Sequence, residues 1–253
     1  MIDPPSVNGY KRINRSLGKA LHQYGMINDG DRICVGVSGG KDSLTLLWFL
    51  RERLARIPVH YELFPCYIDP GFDRRSAEDL SDCCREQGWS LRIDYSDCGV
   101  IAHSEINREN PCFLCSRIRR KRLFEIAAEL GCNKLALGHT KDDIIESFFL
   151  NICYAGEISA MQPFQPMFGG KITIIRPLAL VEENEIRKFV NHLGLREIPN
   201  QCPTAQTSRR REIKQLLARL YTTNRKIKGN IFRSMGNVKT DYLLNGGRVR
   251  DPR

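Results

Sequence analysis

Two short stretches and one isolated residue carry side chains whose types and spacing could do chemistry. Ser38-Gly39-Gly40-Lys41-Asp42-Ser43 sets two glycines, two hydroxyls, a lysine and a carboxylate in consecutive positions. Glycines let the backbone turn tightly and bring bare N–H groups against phosphate oxygens. A helix opening near Asp42 adds its positive dipole end, Ser38 and Ser43 offer hydroxyls, and Lys41 offers a point charge to a triphosphate. The spacing is neither that of the Walker loop nor GxGxxG. The second stretch, Cys112-Phe113-Leu114-Cys115, follows Glu109-Asn110-Pro111, which reads as a loop, and precedes a basic helix. A CxxC can hold zinc, hold an iron–sulfur cluster or work as a redox dithiol. Cys202 is the other cysteine in an equally loop-like, proline-flanked setting. Cys34, Cys66, Cys132 and Cys153 lie in apolar contexts and read as buried structural thiols, and nothing pairs Cys83, Cys84 or Cys98. A structural zinc normally takes four ligands. A CxxC plus one distant cysteine leaves a coordination position open, which chemistry needs and structure does not.

The elements that must position these residues follow from the apolar pattern. DRICVGVSGG is a short apolar run entering the Gly-rich turn, and LTLLWFLRERLARI after it has helical spacing. YELFPCYID, WSLRIDY, NKLALGHT and KITIIRPLAL read as further strands. Helices are predicted at Ser76–Gln87, at IRRKRLFEIAAEL closed by Gly131, at DDIIESFFLNICY and at EENEIRKFVNHLG ended by Gly194. Strands alternating with helices imply an α/β fold, a parallel sheet with helices on both faces, whose ligands bind at the carboxyl ends of the strands. An amphipathic helix over Tyr10–Tyr24 precedes it, and basic helices, RRREIKQLLARLY and NIFRSMGNV, follow it. The expected division is a helical leader at 1–28, the α/β domain at 29–199 and a basic C-terminal region with a loose tail at 200–253.

Charge narrows the function classes. The chain has 253 residues and a formal net charge of +10. Residues 200–253 hold 13 basic and three acidic side chains, so that region carries the whole excess and the body is neutral. A basic appendage on a neutral body implies a polyanion partner. Arg117, Arg119, Arg120, Lys121 and Arg122 follow the CxxC, and Arg209, Arg210 and Arg211 follow Cys202 at a similar interval. Both cysteine positions are thus trailed by arginines suited to RNA phosphates. No apolar run is long enough to span a bilayer and the N-terminus has no signal-peptide core, so a cytoplasmic location with reduced cysteines is expected.

SGGKDS on the first strand–helix turn resembles the PP-loop of the ATP pyrophosphatases, which adenylate a substrate and release pyrophosphate. The resemblance implies an adenine nucleotide alpha hydrolase-like fold and a loop, Ser38 to Ser43, that holds the pyrophosphate part of ATP. It places Asp69 of CYID near the nucleotide and maps the family's Gly-His-x-x-Asp-Asp segment onto Gly138, His139, Asp142 and Asp143. Two carboxylates beside a triphosphate make sense as magnesium ligands, Asp143 above all, while two acids at a helix start also serve as cap and first-turn charge. PCFLCSRIRRKRL, GHTKDD, IRPL and the late cysteine before a basic helix narrow the resemblance to the tRNA 2-thiocytidine synthetases, the TtcA family, over about Tyr10 to Tyr221. That family often has two cysteines at the last site, where PNQC keeps one, and often His-Arg where this chain has Thr140-Lys141.

The resemblance implies a [4Fe–4S] cluster on Cys112, Cys115 and Cys202, with Lys41 and Asp143 serving ATP and Mg2+. It further implies 2-thiolation of an anticodon-loop cytidine at position 32 of tRNA, a sulfur donor such as a cysteine desulfurase, and a homodimer. The alternatives are a 2-thiouridine synthetase of the same superfamily, cysteines that carry persulfide without a cluster, and a zinc-stabilised RNA-binding module without turnover.

Overall fold

The computed structural model describes residues 9–105, 111–199, 201–204 and 208–243. Glu109 and Asn110 of the expected loop, and the whole of the expected loose tail NGGRVRDPR, lie outside the described residues. In chain order the elements are α1 (Tyr10–Gln23), β1 (Asp31–Gly36), α2 (Lys41–Leu54), β2 (Tyr61–Asp69), α3 (Arg75–Glu86), β3 (Arg92–Tyr95) and α4 (Cys98–Ala102). Then come α5 (Pro111–Glu129), β4 (Lys134–Leu137), α6 (Lys141–Leu150), β5 (Phe164–Met167), β6 (Ile172–Ile175), α7 (Glu183–Leu193), α8 (Arg209–Thr223) and α9 (Ile227–Ser234). The strands form one sheet in the order β3-β2-β1-β4-β6-β5. All neighbours are parallel except β5 and β6. The expected parallel α/β sheet is therefore present, with one antiparallel edge strand that the sequence pattern does not suggest.

The period of two along each strand sorts the core into two layers. Ile33 and Val35 of β1, Ala136 of β4 and Ile175 of β6 pack with α1, α2, α3 and α7. Cys34, Cys66, Ile68, Leu135, Ile172 and Ile174 face the other way and pack against Leu123, Ile126 and Ala127 of α5. Helix α1 buries Ile13, Leu17 and Ala20 in the first layer. Helices α8 and α9 pack on α6 through a separate cluster in which Ile145, Ile213 and Leu217 are buried. Among the described residues no helix is long and apolar enough to cross a membrane.

Two local expectations need correction. The CxxC, expected just after a loop that includes Pro111, belongs with that proline to the first turn of α5, because proline suits a first helical position, where an N–H would have no partner. Cys153, expected to be buried, is exposed. After α6 the chain widens into a single π-turn, Asn151–Ala155, closed by Gly156 in the left-handed region, and none of its side chains is buried. Cys34, Cys66 and Cys132 are buried as expected, and so are Cys83, Cys84 and Cys98.

Candidate active site

The phosphate-loop residues lie between β1 and α2, at the carboxyl end of the sheet. Gly39 has φ +79°, which a side chain rarely adopts, and a Cβ there would stand 2.9 Å from Ile198 Cβ. The Ile198 N–H donates to the Gly39 carbonyl at 3.0 Å, which fastens the segment after α7 over the loop. Ser43 Oγ accepts from the Ser38 N–H at 3.0 Å, lies 3.1 Å from Ser38 Oγ and donates to the Gly40 carbonyl at 2.9 Å. At Gly138 a Cβ would meet the Ser43 nitrogen at 2.9 Å, so only glycine lets the end of β4 close on the start of α2.

A cavity of about 360 Å3 opens here, lined by Ser38, Gly40, Asp42, Ser43, Gly138, His139 and Asp143, and on its far side by Arg119, Arg120 and Arg210. Burial and the nearby Asp143 and Glu183 carboxylates push the pKa of Asp42 up to about 6, against Lys41. Its Oδ2 pairs with Lys41 Nζ at 3.0 Å, while Oδ1 is buried with no hydrogen-bond partner among the described residues. Lys41 Nζ also meets Glu183 at 3.0 Å, and despite burial these two carboxylates raise its pKa, so it stays charged. Glu183, against its burial, is drawn down to about 2 by Lys214 and Lys41.

Asp142 and Asp143 separate into different roles at the start of α6. Asp142 accepts from the Glu183 N–H at 2.9 Å and from Lys228 Nζ at 2.7 Å, tying α6 to α7 and α9. Asp143 completes a capping box with Thr140, one oxygen accepting from the Thr140 N–H and hydroxyl at 2.8 Å each. Its other oxygen stands 3.9 Å from Arg210 at the cavity wall. His139 is partly buried at the cavity wall, and desolvation first, then the Arg176 guanidinium, push its pKa down to about 4. Arg176 Nε donates to His139 Nδ1 at 3.2 Å, so the neutral ring carries its proton on Nε2. Asp69, buried at the end of β2, accepts from the Gly71 N–H at 3.0 Å and shapes the turn there, outside the cavity lining.

The cysteines gather beside this cavity. Cys112 and Cys115 are three apart on α5 and so share a helix face. Cys112 Sγ and Cys202 Sγ lie 3.3 and 3.4 Å from the same Thr204 hydroxyl, which His103 Nε2 also meets at 3.0 Å. Cys115 is hydrogen-bonded to the buried thiol of Cys98, and the bond lowers the Cys98 pKa while it raises that of Cys115. Among the described residues no three His, Cys, Asp or Glu side chains converge on a point that one ion could occupy. The fit to a multi-iron cluster is one of donor type: Cys112, Cys115 and Cys202 offer thiols, and thiolates are the protein ligands such clusters take. A second cavity of about 290 Å3 shares Ser38, Gly40 and Arg119 with the first and also takes in Phe72, whose ring meets His103, and Gln201, the neighbour of Cys202.

The expected RNA-binding residues do not share one environment. Arg119, Arg120 and Arg210 face the first cavity. Arg117, Lys121 and Arg211 are exposed. Arg209 lies over the Tyr154 ring at 5.0 Å. Arg122 instead points to the sheet edge, held by Asp94 at 2.7 Å and by Glu125 and Glu129. Sequence reasoning does not single out Arg176, Glu183, Cys98 or His103. Arg176 lies in the IRPL stretch and Glu183 at a helix start, but for His103 and Cys98 only the fold supplies a signal.

Residues 10–220 match a family profile described as a PP-loop domain. The tRNA-cytidine(32) 2-sulfurtransferase of Geobacter sulfurreducens is 40% identical over 244 residues, 93% of each chain. That of Syntrophotalea carbinolica is 38% identical over 239 residues, 93% of this chain and 92% of the relative. Among solved structures, the U34-tRNA thiolase NcsA from Methanococcus maripaludis with its [4Fe–4S] cluster superposes with a TM-score of 0.76 at 24% identity, covering 93% of this chain and 80% of that one, a likeness of fold. A phosphate loop at the carboxyl end of the sheet, a thiol site one cavity away and this identity over nearly the full length agree, and the chain belongs to the PP-loop family of tRNA-cytidine(32) 2-sulfurtransferases.

Proposed function

We propose that the chain is an ATP-dependent tRNA thiolase that replaces the 2-oxygen of an anticodon-loop cytidine at position 32 with sulfur. The observation that carries this reading is adjacency: Ser38, Gly40 and Arg119 line both cavities, the first also takes in Ser116, next to Cys115, and the second Gln201, next to Cys202. A carbonyl oxygen on a pyrimidine leaves poorly. Its attack on the α-phosphorus of ATP forms a P–O bond as the bond to pyrophosphate breaks, and the oxygen becomes part of a good leaving group. Sulfide then forms the C–S bond as AMP departs with the C–O pair, so no external oxidant is required.

The chain's own residues serve each part. Loop N–H groups, the Ser38 and Ser43 hydroxyls and charged Lys41 hold the departing pyrophosphate. Asp42, with its unpartnered buried oxygen, and Asp143 would hold Mg2+, whose chemistry is to offset charge on the phosphate oxygens. Cys112, Cys115 and Cys202 would hold a [4Fe–4S] cluster, which supplies a Lewis-acidic position where sulfide stays deprotonated. Neutral His139 presents an N–H to the nucleotide cavity. Arg119, Arg120 and Arg210 neutralise RNA phosphates at its mouth, with Arg117, Lys121, Arg209 and Arg211 extending the basic surface. A separate donor, such as a cysteine desulfurase, supplies the sulfur.

The test is anaerobic purification, iron and sulfide analysis, and nucleoside mass spectrometry of tRNA incubated with ATP and sulfide. About four irons per chain and 2-thiocytidine are expected, with cluster and product lost together in Cys112→Ala and Cys202→Ala. Product retained in an iron-free variant overturns the cluster role, and 2-thiouridine in place of 2-thiocytidine overturns the base assignment.

A further inference from the structure

We infer that the groove between α1 and the start of α7 is a second binding surface for the tRNA phosphate backbone, on the opposite face of the sheet from Arg119 and Arg120. This rests on the tRNA reading above and adds the side chains that hold the body of the RNA while one loop base occupies the catalytic end.

Helix α1 is charged against the rules that stabilise a helix. Tyr10–Gln23 carries Lys11, Arg12, Arg15 and Lys19 and no carboxylate. Lys11 and Arg12 stand in the first turn, where the free N–H groups make the helix end positive and favour acids, and Gly9 before it offers no side-chain cap. Lys11, Arg15 and Lys19 are four apart, a spacing at which like charges repel on a helix surface. All four cations are exposed, while Tyr10, Ile13, Leu17 and Ala20 are buried. A merely solvated face gains nothing from this arrangement, because mixed signs would keep it soluble without weakening the helix. Cations set where the helix itself disfavours them are explained by an anion that the chain does not supply.

The surroundings make a groove of it. Lys11, Arg12 and Arg15 line a cavity of about 490 Å3 with Lys141 at the start of α6 and Glu182 and Glu185 at that of α7. The two carboxylates are already taken: Arg12 pairs with Glu185 at 2.9 Å and Lys141 with Glu182 at 3.0 Å. The side chains of Lys11 and Arg15 have no hydrogen bond or ion pair among the described residues, so the groove keeps two uncompensated positive charges. Helices α6 and α7 begin after β4 and β6, which run parallel, so the groove opens at the end of the sheet that holds the phosphate loop. Lys228 of α9 meets Asp142 at 2.7 Å and Glu182 at 3.7 Å, which joins the groove to the basic C-terminal helices and so to Arg210. Helix α1 packs in the layer of α2 and α7, and α5 with Arg119 and Arg120 in the other, so basic patches flank the catalytic end on both faces. Phosphate contacts fix register and orientation without reading sequence, which is what a site acting on one loop base needs from the rest of the RNA. Continuity with the cations that face the nucleotide cavity favours RNA over an acidic protein surface.

The experiment titrates anaerobically purified holoenzyme with unmodified tRNA at several salt concentrations. It compares the wild-type protein, the double variant Lys11→Gln/Arg15→Gln and, as a control, Lys171→Gln, an exposed cation at the amino end of β6. In the double variant the slope of log affinity against log salt should become shallower by about 2, roughly 0.9 for each phosphate, and affinity near about 0.1 M salt should fall on the order of tenfold per contact. Lys171→Gln should leave both unchanged. In the wild-type protein, tRNA should shield Lys11 but not Lys171 from an amine-reactive reagent, read by mass spectrometry. The replaced side chains have no partner to lose, so the thermal midpoint of the double variant should hold or rise; should it fail to fold, the shielding of Lys11 in the wild-type protein decides. An unchanged slope in the double variant overturns the inference and leaves the thiolase reading intact. An equal loss per charge in Lys171→Gln also overturns it, since net charge alone then explains the effect. No tRNA binding by the wild-type protein overturns both. Unchanged tRNA binding by the double variant with weakened capture of a sulfur-donor protein assigns the groove to an acidic protein and overturns the inference as well.

Discussion

At Asp42 burial is the largest influence on the carboxyl, followed by Lys41, which opposes it, and then by Asp143 and Glu183, and the balance holds the pKa near about 6 against an ordinary 3.8. The folded protein therefore binds this proton more tightly than the unfolded chain does. The resulting penalty is absent below about pH 4, grows as pH rises through the carboxylate range, and is fully present above about pH 6. Asp42→Asn should thus stabilise the ligand-free protein at pH 7.5 by on the order of 1–3 kcal/mol, with the gain vanishing near pH 4, while ATP turnover falls steeply. Thermal melts across pH check this, and an equal gain at both ends would sink it. Single residues are legible in the sequence where their chemistry is local: the SGGKDS turn, the Asp142-Asp143 pair and the CxxC spacing. Cys98, His103 and Arg176 are not, because an isolated cysteine, histidine or arginine acquires meaning only from what the fold sets opposite it. Arg122 illustrates the converse, since its sequence neighbours suggest RNA and its spatial neighbours are three carboxylates.

The close approach between the end of β4 and the start of α2 depends on the absence of one methyl group. Gly138→Ala puts a carbon 2.9 Å from the Ser43 backbone nitrogen, and backbone cannot move aside cheaply. We expect a loss of about 1–3 kcal/mol together with a large rise in KM for ATP, read by chemical denaturation and a pyrophosphate-release assay. Gly229→Ala in α9, where the added Cβ meets nothing within 4 Å, should instead stabilise by about 0.5–1 kcal/mol and leave KM alone. Thr140→Ala removes the α6 cap and one support of the Asp143 carboxylate, costing about 1 kcal/mol. Elements with strong periodicity or clear stops are readable from sequence, as at α2, β2 and α7. Strand β5 is not: Phe164–Met167 is four residues, contains Pro166 and has no apolar alternation, so only its register against β6 makes it a strand. The start of α5 is ambiguous for a related reason, proline before a CxxC marking a helix beginning as readily as a loop.

For the whole molecule, the +10 charge resolves into a directed surface. Arg119 and Arg120 from α5 and Arg210 from α8 lie far apart in sequence yet line one cavity. Replacing any of the three with alanine should weaken tRNA binding and lower the slope of log affinity against log salt by about 1 for each phosphate no longer neutralised. Arg122→Ala should leave that slope unchanged and lower stability instead, which titrations at several salt concentrations distinguish. The two ends of the sheet bear on assembly. On one side β5 is a four-residue strand with a proline in it, followed at once by Phe168-Gly169-Gly170. On the other, β3 is four residues whose Arg92 and Asp94 are engaged by Glu129 and Arg122. Short, proline-bearing and charged borders discourage strand-to-strand adhesion between molecules. The growth of a continuous intermolecular sheet, the usual route from an open α/β edge to aggregation, is thus disfavoured at both margins.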